Sequence, residues 1–260
     1  MTQVLGTPPA APDPLSPAGP TRTQRRAARV ERARRFTQNL GEVFITAGVF
    51  VLMFCAYQLW WTNVESDRAT DAVVAQVRDS FVVPYVAPAQ PQAEPQTLQI
   101  SDGQGFGLMY IPRLGEDWVK PLVAGATLEN LKRGVTHYTG TAMPGDIGNF
   151  AVAGHRATNG EPFRNLDLLR AGDQVIVETA DSFFTYEITR QQIVKPKDIW
   201  VLNPIPGKGN ENAVPSEALL TLTTCNPRWA SYERLIVYGK MVGEIDKDSG
   251  RTPEALKGII

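Results

Sequence analysis

The chain of 260 residues holds two Cys and two His, so few side chains could carry nucleophilic chemistry. Cys55 lies inside an uncharged apolar run, whereas Cys225 follows ALLTLTT and precedes Pro227, placing it at the C-terminal end of a predicted strand. With a side-chain period of two, Thr221, Thr223 and Cys225 share one face and Leu220 and Leu222 the other. A free Cys is commonly a buried small hydrophobe, but a thiol on the polar face at a strand end is better placed to act as a nucleophile. Arg234 opens the next predicted strand, RLIVYGKMV. Antiparallel pairing across the NPRWASYE connection would make Cys225 and Arg234 neighbours at one rim. There a guanidinium could hold a carbonyl oxygen or favour thiolate; a solvated strand-end Arg is the plainer alternative. His155 ends the segment NFAVAGH, just where a strand emerges, with Gly154 permitting close backbone approach. His137, in GVTHYTG, reads as a structural or turn histidine. A thiol needs a partner that can protonate a leaving group, and imidazole titrates in the right range. Cys225, the two candidate histidines His137 and His155, and the nearby Arg234 suggest acyl transfer through a thioester.

These residues must be positioned by short elements. Gly107–Ile111, Val119–Val123, Phe150–Ala153, Gln174–Thr179, Phe184–Val194, Ala218–Thr224 and Leu235–Val242 are short, apolar-alternating and separated by Gly, Pro, Asp and Asn. They predict strands, with minor helical turns at Thr127–Lys132 and Pro162–Leu169. Many closely spaced strands point to an all-β domain, a closed or nearly closed barrel over residues 100–245. The connection from Pro196 to Ser216 carries four Pro and two Gly, and a loop that long within a compact domain is usually functional. Residues 246–260 read as a mobile C-terminal tail.

The formal net charge of −1 excludes a polycation built to bind nucleic acid. Seven Arg lie between Arg22 and Arg35 against three acids in residues 1–61, leaving 19 basic and 24 acidic residues in 62–260. Immediately after the Arg cluster, Val43 to Trp61 runs nineteen residues without a charge. As a helix it would reach ~28 Å, close to the ~30 Å hydrocarbon thickness. The chain therefore predicts a disordered basic tail over 1–42 (six Pro in residues 1–20), a transmembrane helix over 43–61 and a stalk with a Pro-rich spacer over 62–99. The run is too long for a typical signal-peptide core, and no small-x-small site follows it. Positive charge stays inside, so the N-terminus is expected in the cytoplasm and the later domain outside. Two Cys exclude a disulfide framework, and two Cys with two His do not supply the four clustered ligands of a structural zinc site. No cofactor is called for.

TLTTC at 221–225, Arg234 in RLIV and the upstream NFAVAGHR at 149–156 resemble a sortase, one of the membrane-anchored cysteine transpeptidases of Gram-positive bacteria. GVTHYTGTAMPGD before the His and NPRW after the Cys resemble class E, the actinobacterial housekeeping type; Asn226 departs from what related sequences often carry. The resemblance covers about 100–243. It implies an eight-stranded barrel with His155 as catalytic His, Cys225 as nucleophile and Arg234 as catalytic Arg. It also implies two partners: secreted proteins bearing a sorting signal of the Leu-Ala-x-Thr-Gly kind, and a peptidoglycan precursor amine. Some sortases use calcium, but the acids here form no D-x-D-x-D-G loop. The rival readings are an exported cysteine peptidase, an L,D-transpeptidase (whose S-x-G-C pattern is absent) and a membrane-tethered β-domain without catalysis.

Overall fold

The computed structural model describes residues 21–82 and 100–258; the Pro-rich tail and the Pro84–Pro95 spacer lie outside the described residues. The chain divides after Cys55 into two compact units. In the first, helix α1 (Arg22–Ala56) buries none of its residues, and Phe44, Ile45, Phe50, Leu52 and Phe54 are all exposed. Among the described residues there is one helix long and apolar enough to cross a membrane.

The second unit begins with a π-helical turn, Tyr57–Trp61, and helix α2, Thr62–Val82. Eight strands follow: β1 (Gly105–Tyr110), β2 (Val119–Ala124), β3 (Val135–His137), β4 (Gly148–Ala153), β5 (Gln174–Glu178), β6 (Ser182–Val194), β7 (Ala218–Asn226) and β8 (Glu233–Asp246). They close into a barrel in the order β1-β2-β3-β4-β7-β8-β6-β5. Two pairings are parallel, β2 with β3 and β4 with β7, and the others are antiparallel. The interior is filled by alternate residues: Phe150 and Val152 of β4, Leu220 and Leu222 of β7, Leu235 and Val237 of β8, with Tyr186 of β6. Each such side chain contributes about 1.5–3 kcal/mol on full burial. Seven of the strands match the segments predicted from alternation; β3, only three residues long, does not reach the length at which a pattern becomes visible. The predicted helical turns shrink to 3-10 turns at Asn130–Lys132 and Leu166–Leu168.

Two expectations about the flanks are corrected. The stalk's helical part does not stand clear of the barrel. Ser66, Thr70, Val73 and Val77 form a buried stripe on α2 at helical spacing, and Val73 and Val77 pack with Leu108 and Tyr110 of β1 and Val123 of β2. Gly105 makes room for them, since a Cβ there would stand 2.7 Å from Val77 and 2.8 Å from Val73. The segment after β8 is not free either. Lys247 pairs with Glu178 at 2.7 Å, and Leu256 is fully buried in the same apolar cluster.

Candidate active site

The register of three adjacent strands sets the site. Parallel β4 and β7 align Ala151 with Thr221 and Ala153 with Thr223. The contact continues past the end of β4: Gly154 N–H donates to Thr223 O at 3.1 Å, and Thr224 Oγ1 donates to Gly154 O at 2.8 Å. His155 therefore emerges beside Cys225. On the other side, antiparallel β8 sets Arg234 directly opposite Cys225. Because Phe150, Val152, Leu220 and Leu222 point inward, alternation sends His155, Cys225 and Arg234 to the outer face at one end of the barrel. The structure brings all three predicted site residues together.

His137 belongs elsewhere. It pairs with inward-facing Val152 and is itself buried. Its ring lies 5.9 Å from Phe106 in edge-on contact and 5.4 Å from Phe150. Nε2 is 2.9 Å from Thr141 Oγ1 and 3.0 Å from Ala142 O. It is a core histidine with its polar tip satisfied, as the sequence suggested.

Burial, reinforced by the nearby Lys132 charge, holds the His155 imidazole below its ordinary pKa, so the ring is mostly neutral near pH 7. Among the described residues nothing hydrogen-bonds that ring, so its orientation falls to packing and to the backbone that carries it. Cys225 is half-buried, with one side open to solvent. Arg234 Nη1 donates to the Ser231 and Glu233 carbonyls, both at 2.8 Å, which fixes the guanidinium over the β7–β8 turn. A thiol, a titratable imidazole and an anchored guanidinium on one open face can attack a carbonyl, protonate its leaving group and hold its oxygen.

Supporting residues escaped the sequence reading. Buried Arg156, next to His155, donates from Nη1 to Asn226 Oδ1 at 2.6 Å and pairs through Nη2 with Asp167 at 2.9 Å. Asn226 Nδ2 in turn donates to Glu233 Oε2 at 2.9 Å. The residues flanking His155, Cys225 and Arg234 are thereby joined in one chain, and Asn226 gains a role. Their adjacency to the motif residues was the only available signal. The long β6–β7 connection lies against the outer face: Val201 packs on Ile236 and Tyr238. Asn149 pins it, donating from Nδ2 to Val201 O at 3.0 Å and Asn203 O at 3.1 Å while accepting from Thr221 Oγ1 at 2.7 Å. Among the described residues no three or more His, Cys, Asp or Glu converge as metal ligands would.

A closed eight-stranded barrel that pairs a strand-end Cys with an Arg on the next strand, beside a His, is the architecture of the cysteine transpeptidases called sortases. A sortase domain model matches residues 109–242, more than half of the chain, and the chain belongs to the sortase family. It is 39% identical over 243 residues to sortase SrtE1 of Streptomyces coelicolor, covering 90% of this chain and 65% of that relative. The match thus spans a little less than two thirds of SrtE1's length. Among solved structures, sortase E of Streptomyces avermitilis is 43% identical, with a TM-score of 0.54, over 60% of this chain and 99% of that one. Sortase E1 of Streptomyces coelicolor, solved with a tripeptide in its active site, gives 41% identity and the same TM-score and coverage. The class E resemblance read from the sequence is thereby supported.

Proposed function

We propose that the chain is a membrane-anchored transpeptidase that cleaves a sorting signal between Thr and Gly and joins the new carboxyl end to a cell-wall precursor amine. The observation that supports this reading is the register that pairs Cys225 with Arg234 and Thr223 with Ala153, two residues before His155. The Cys225 sulfur, as thiolate, bonds to the Thr carbonyl carbon. The Thr–Gly C–N bond breaks as imidazolium His155 gives its proton to the leaving Gly nitrogen. A precursor amine then bonds to the thioester carbon, His155 takes the amine's proton and the C–S bond breaks, restoring the thiolate–imidazolium pair. Arg234 offers N–H groups to the oxyanion, a stabilisation of about 3–4 kcal/mol for one such donor. The low imidazole pKa makes the imidazolium a minority form near neutral pH, so only a fraction of molecules is competent at any moment.

The Arg cluster before Val43–Trp61 supports an uncleaved anchor with the N-terminus in the cytoplasm and the barrel outside. In this reading the partners are secreted proteins with a Leu-Ala-x-Thr-Gly-like signal, the precursor amine and the membrane. Ala at the second signal position can donate a backbone hydrogen bond that Pro lacks. A groove using that donor would lose about 1–3 kcal/mol with Pro, roughly 5–150-fold.

The test is a single reaction containing the full-length protein, Leu-Ala-x-Thr-Gly and Leu-Pro-x-Thr-Gly peptides, and an amine. Amide product with preference for the Ala peptide is expected. Water-only cleavage would make the protein a peptidase, and no consumption of either peptide would favour a non-catalytic domain. Equal use of the two peptides would remove the class E signal while keeping the transpeptidase.

A further inference from the structure

The loop leaving His155 is conformationally expensive. Thr158, Asn159, Gly160 and Glu161 have φ of 64°, 50°, 75° and 42°, four consecutive left-handed residues of which only one is Gly. Each non-Gly residue in that region costs about 1–2 kcal/mol, so contacts from outside the loop must hold it. Those contacts come from α2. Gly160 N–H donates to Asn63 Oδ1 at 3.1 Å, and Asn63 Nδ2 donates to Glu161 Oε1 at 2.9 Å. The other carboxylate oxygen of Glu161 accepts from Arg228 Nη2 at 3.0 Å and pairs with Arg164. Only 7% of the Glu161 side chain is exposed. Burial alone would raise its pKa, but the Asn63 bond, a backbone bond at Thr158 and the two guanidinium groups outweigh it and hold the carboxyl below its usual value. Packing leaves little slack: a Cβ at Gly160 would stand 2.8 Å from Ser66 Oγ of α2.

One amide on α2 thus grips a loop that runs straight back to His155, whose carbonyl accepts the Phe163 N–H at 2.9 Å. Through Glu161 it also grips Arg228, three residues beyond Cys225. In the catalytic triads of serine hydrolases a third group orients the imidazole through its ring nitrogen. His155 has no such bond among the described residues, and its placement falls to packing and to the main chain that carries it.

We propose that Asn63, with Glu161, is a positioning residue: it clasps the strained loop and so aims the His155 imidazole at the thioester chemistry of Cys225. The inference rests on the transpeptidase reading above. It makes the first turn of α2, just past the apolar run, part of the catalytic apparatus rather than a tether. Misplacing a reacting group by about 1 Å can cost ~100-fold in rate. The expectation for Asn63→Ala is therefore a fall in kcat of ~10- to 100-fold with KM held within about twofold.

The experiment uses the full-length chain in phospholipid nanodiscs with a quenched Leu-Ala-x-Thr-Gly peptide and an amine. Wild type, Asn63→Ala and Asn63→Asp are compared for kcat, KM and thermal midpoint. In Asn63→Asp an ionised carboxylate would face Glu161 and repel it, whereas the protonated acid again offers a donor. The ratio of variant to wild-type kcat should therefore rise as pH falls from 8 to 5.5, a trend that a purely structural defect would not produce. A kcat within twofold of wild type for Asn63→Ala, a loss expressed in KM, or a pH-independent ratio for Asn63→Asp would each overturn the clasp. Failure of the wild type to form a thioester would instead sink the transpeptidase reading, so the two failures are distinguishable.

Discussion

The contact between Asn149 and Thr221 allows a quantitative test of how the β6–β7 connection is held against the outer face. Asn149 is 1% exposed and Thr221 is fully buried, so water cannot replace their hydrogen bonds. Asn149→Ala orphans the Thr221 hydroxyl and the buried Val201 carbonyl; Asn203 O, less buried, can turn to solvent. At about 1–3 kcal/mol for each buried group left unpaired, the expected loss is about 2–6 kcal/mol. For a unit of this size that corresponds to roughly 4–24 °C in Tm. Thr221→Val orphans only Asn149 Oδ1 and leaves both loop bonds intact, so about 1–2 kcal/mol is expected. In the double variant only the Val201 carbonyl stays unpaired, and the loss should fall short of the sum by about 2–5 kcal/mol. Urea denaturation of the four proteins in detergent, followed by Trp fluorescence, closes the cycle. The same proteins supply a functional readout. Asn149→Ala should raise KM for a sorting peptide about fivefold or more, equivalent to ~1 kcal/mol of binding, with kcat nearly unchanged. Additivity within about 0.5 kcal/mol, or an unchanged KM, would refute the idea that this amide fastens a β6–β7 connection that meets the peptide.

Cys225→Ala should abolish both acyl-enzyme and product in a mass-spectrometric trapping assay, and His155→Ala should come close to it. His137→Ala should keep measurable turnover while lowering stability by about 1–3 kcal/mol, because Thr141 and Ala142 lose their partner; an inactive but stable variant would reverse the assignment of the two histidines. Arg234→Lys should reduce kcat/KM by roughly 10²–10³-fold, since a point charge cannot reproduce the planar fork at an oxyanion. Lys132→Gln should move the His155 titration to higher pH, read by the imidazole proton resonances, because one of the two causes of its depression is removed. Both histidines have lowered pKa values in the folded state, so the unfolded chain binds protons more readily. Stability should accordingly be full above pH ~6.5 and decline as pH falls through that value; a midpoint flat from pH 7.5 to 5.5 would contradict this.

The reactive residues were legible because their types are scarce and their strands alternate cleanly: Leu220 and Leu222 against Thr221, Thr223 and Cys225 is a pattern that a pleated strand must respect. Barrel closure was visible as a count of strands, but its pairing was not. The β1–β5 junction rests on three residue pairs between segments far apart in sequence, and no local signal encodes it. Docking of α2 was hidden because half of its buried stripe, Ser66 and Thr70, is polar, which blunts the amphipathic signal. In the C-terminal segment the anchors Lys247 and Leu256 are of different chemistry and nine residues apart, which leaves no periodicity to read. Asn63, Arg156 and Glu161 act through partners brought near by register and by helix docking, and neither can be read from composition or spacing.

The closed barrel keeps its filling and its chemistry on opposite sides of the same three strands. Neighbouring residues of β4, β7 and β8 therefore answer to different demands, with Phe150, Val152, Leu220, Leu222, Leu235 and Val237 on one parity and Ala153, Thr223, Cys225 and Arg234 on the other. A comprehensive substitution map scored separately for cellular abundance and for anchoring of a reporter should part the two scores at the half-buried outward positions His155, Cys225 and Arg234, and keep them together at the buried outward ones, Asn149, Thr221, Ile236 and Tyr238. Under selection, new signal preferences can then arise around those half-buried strand ends with little disturbance to solubility.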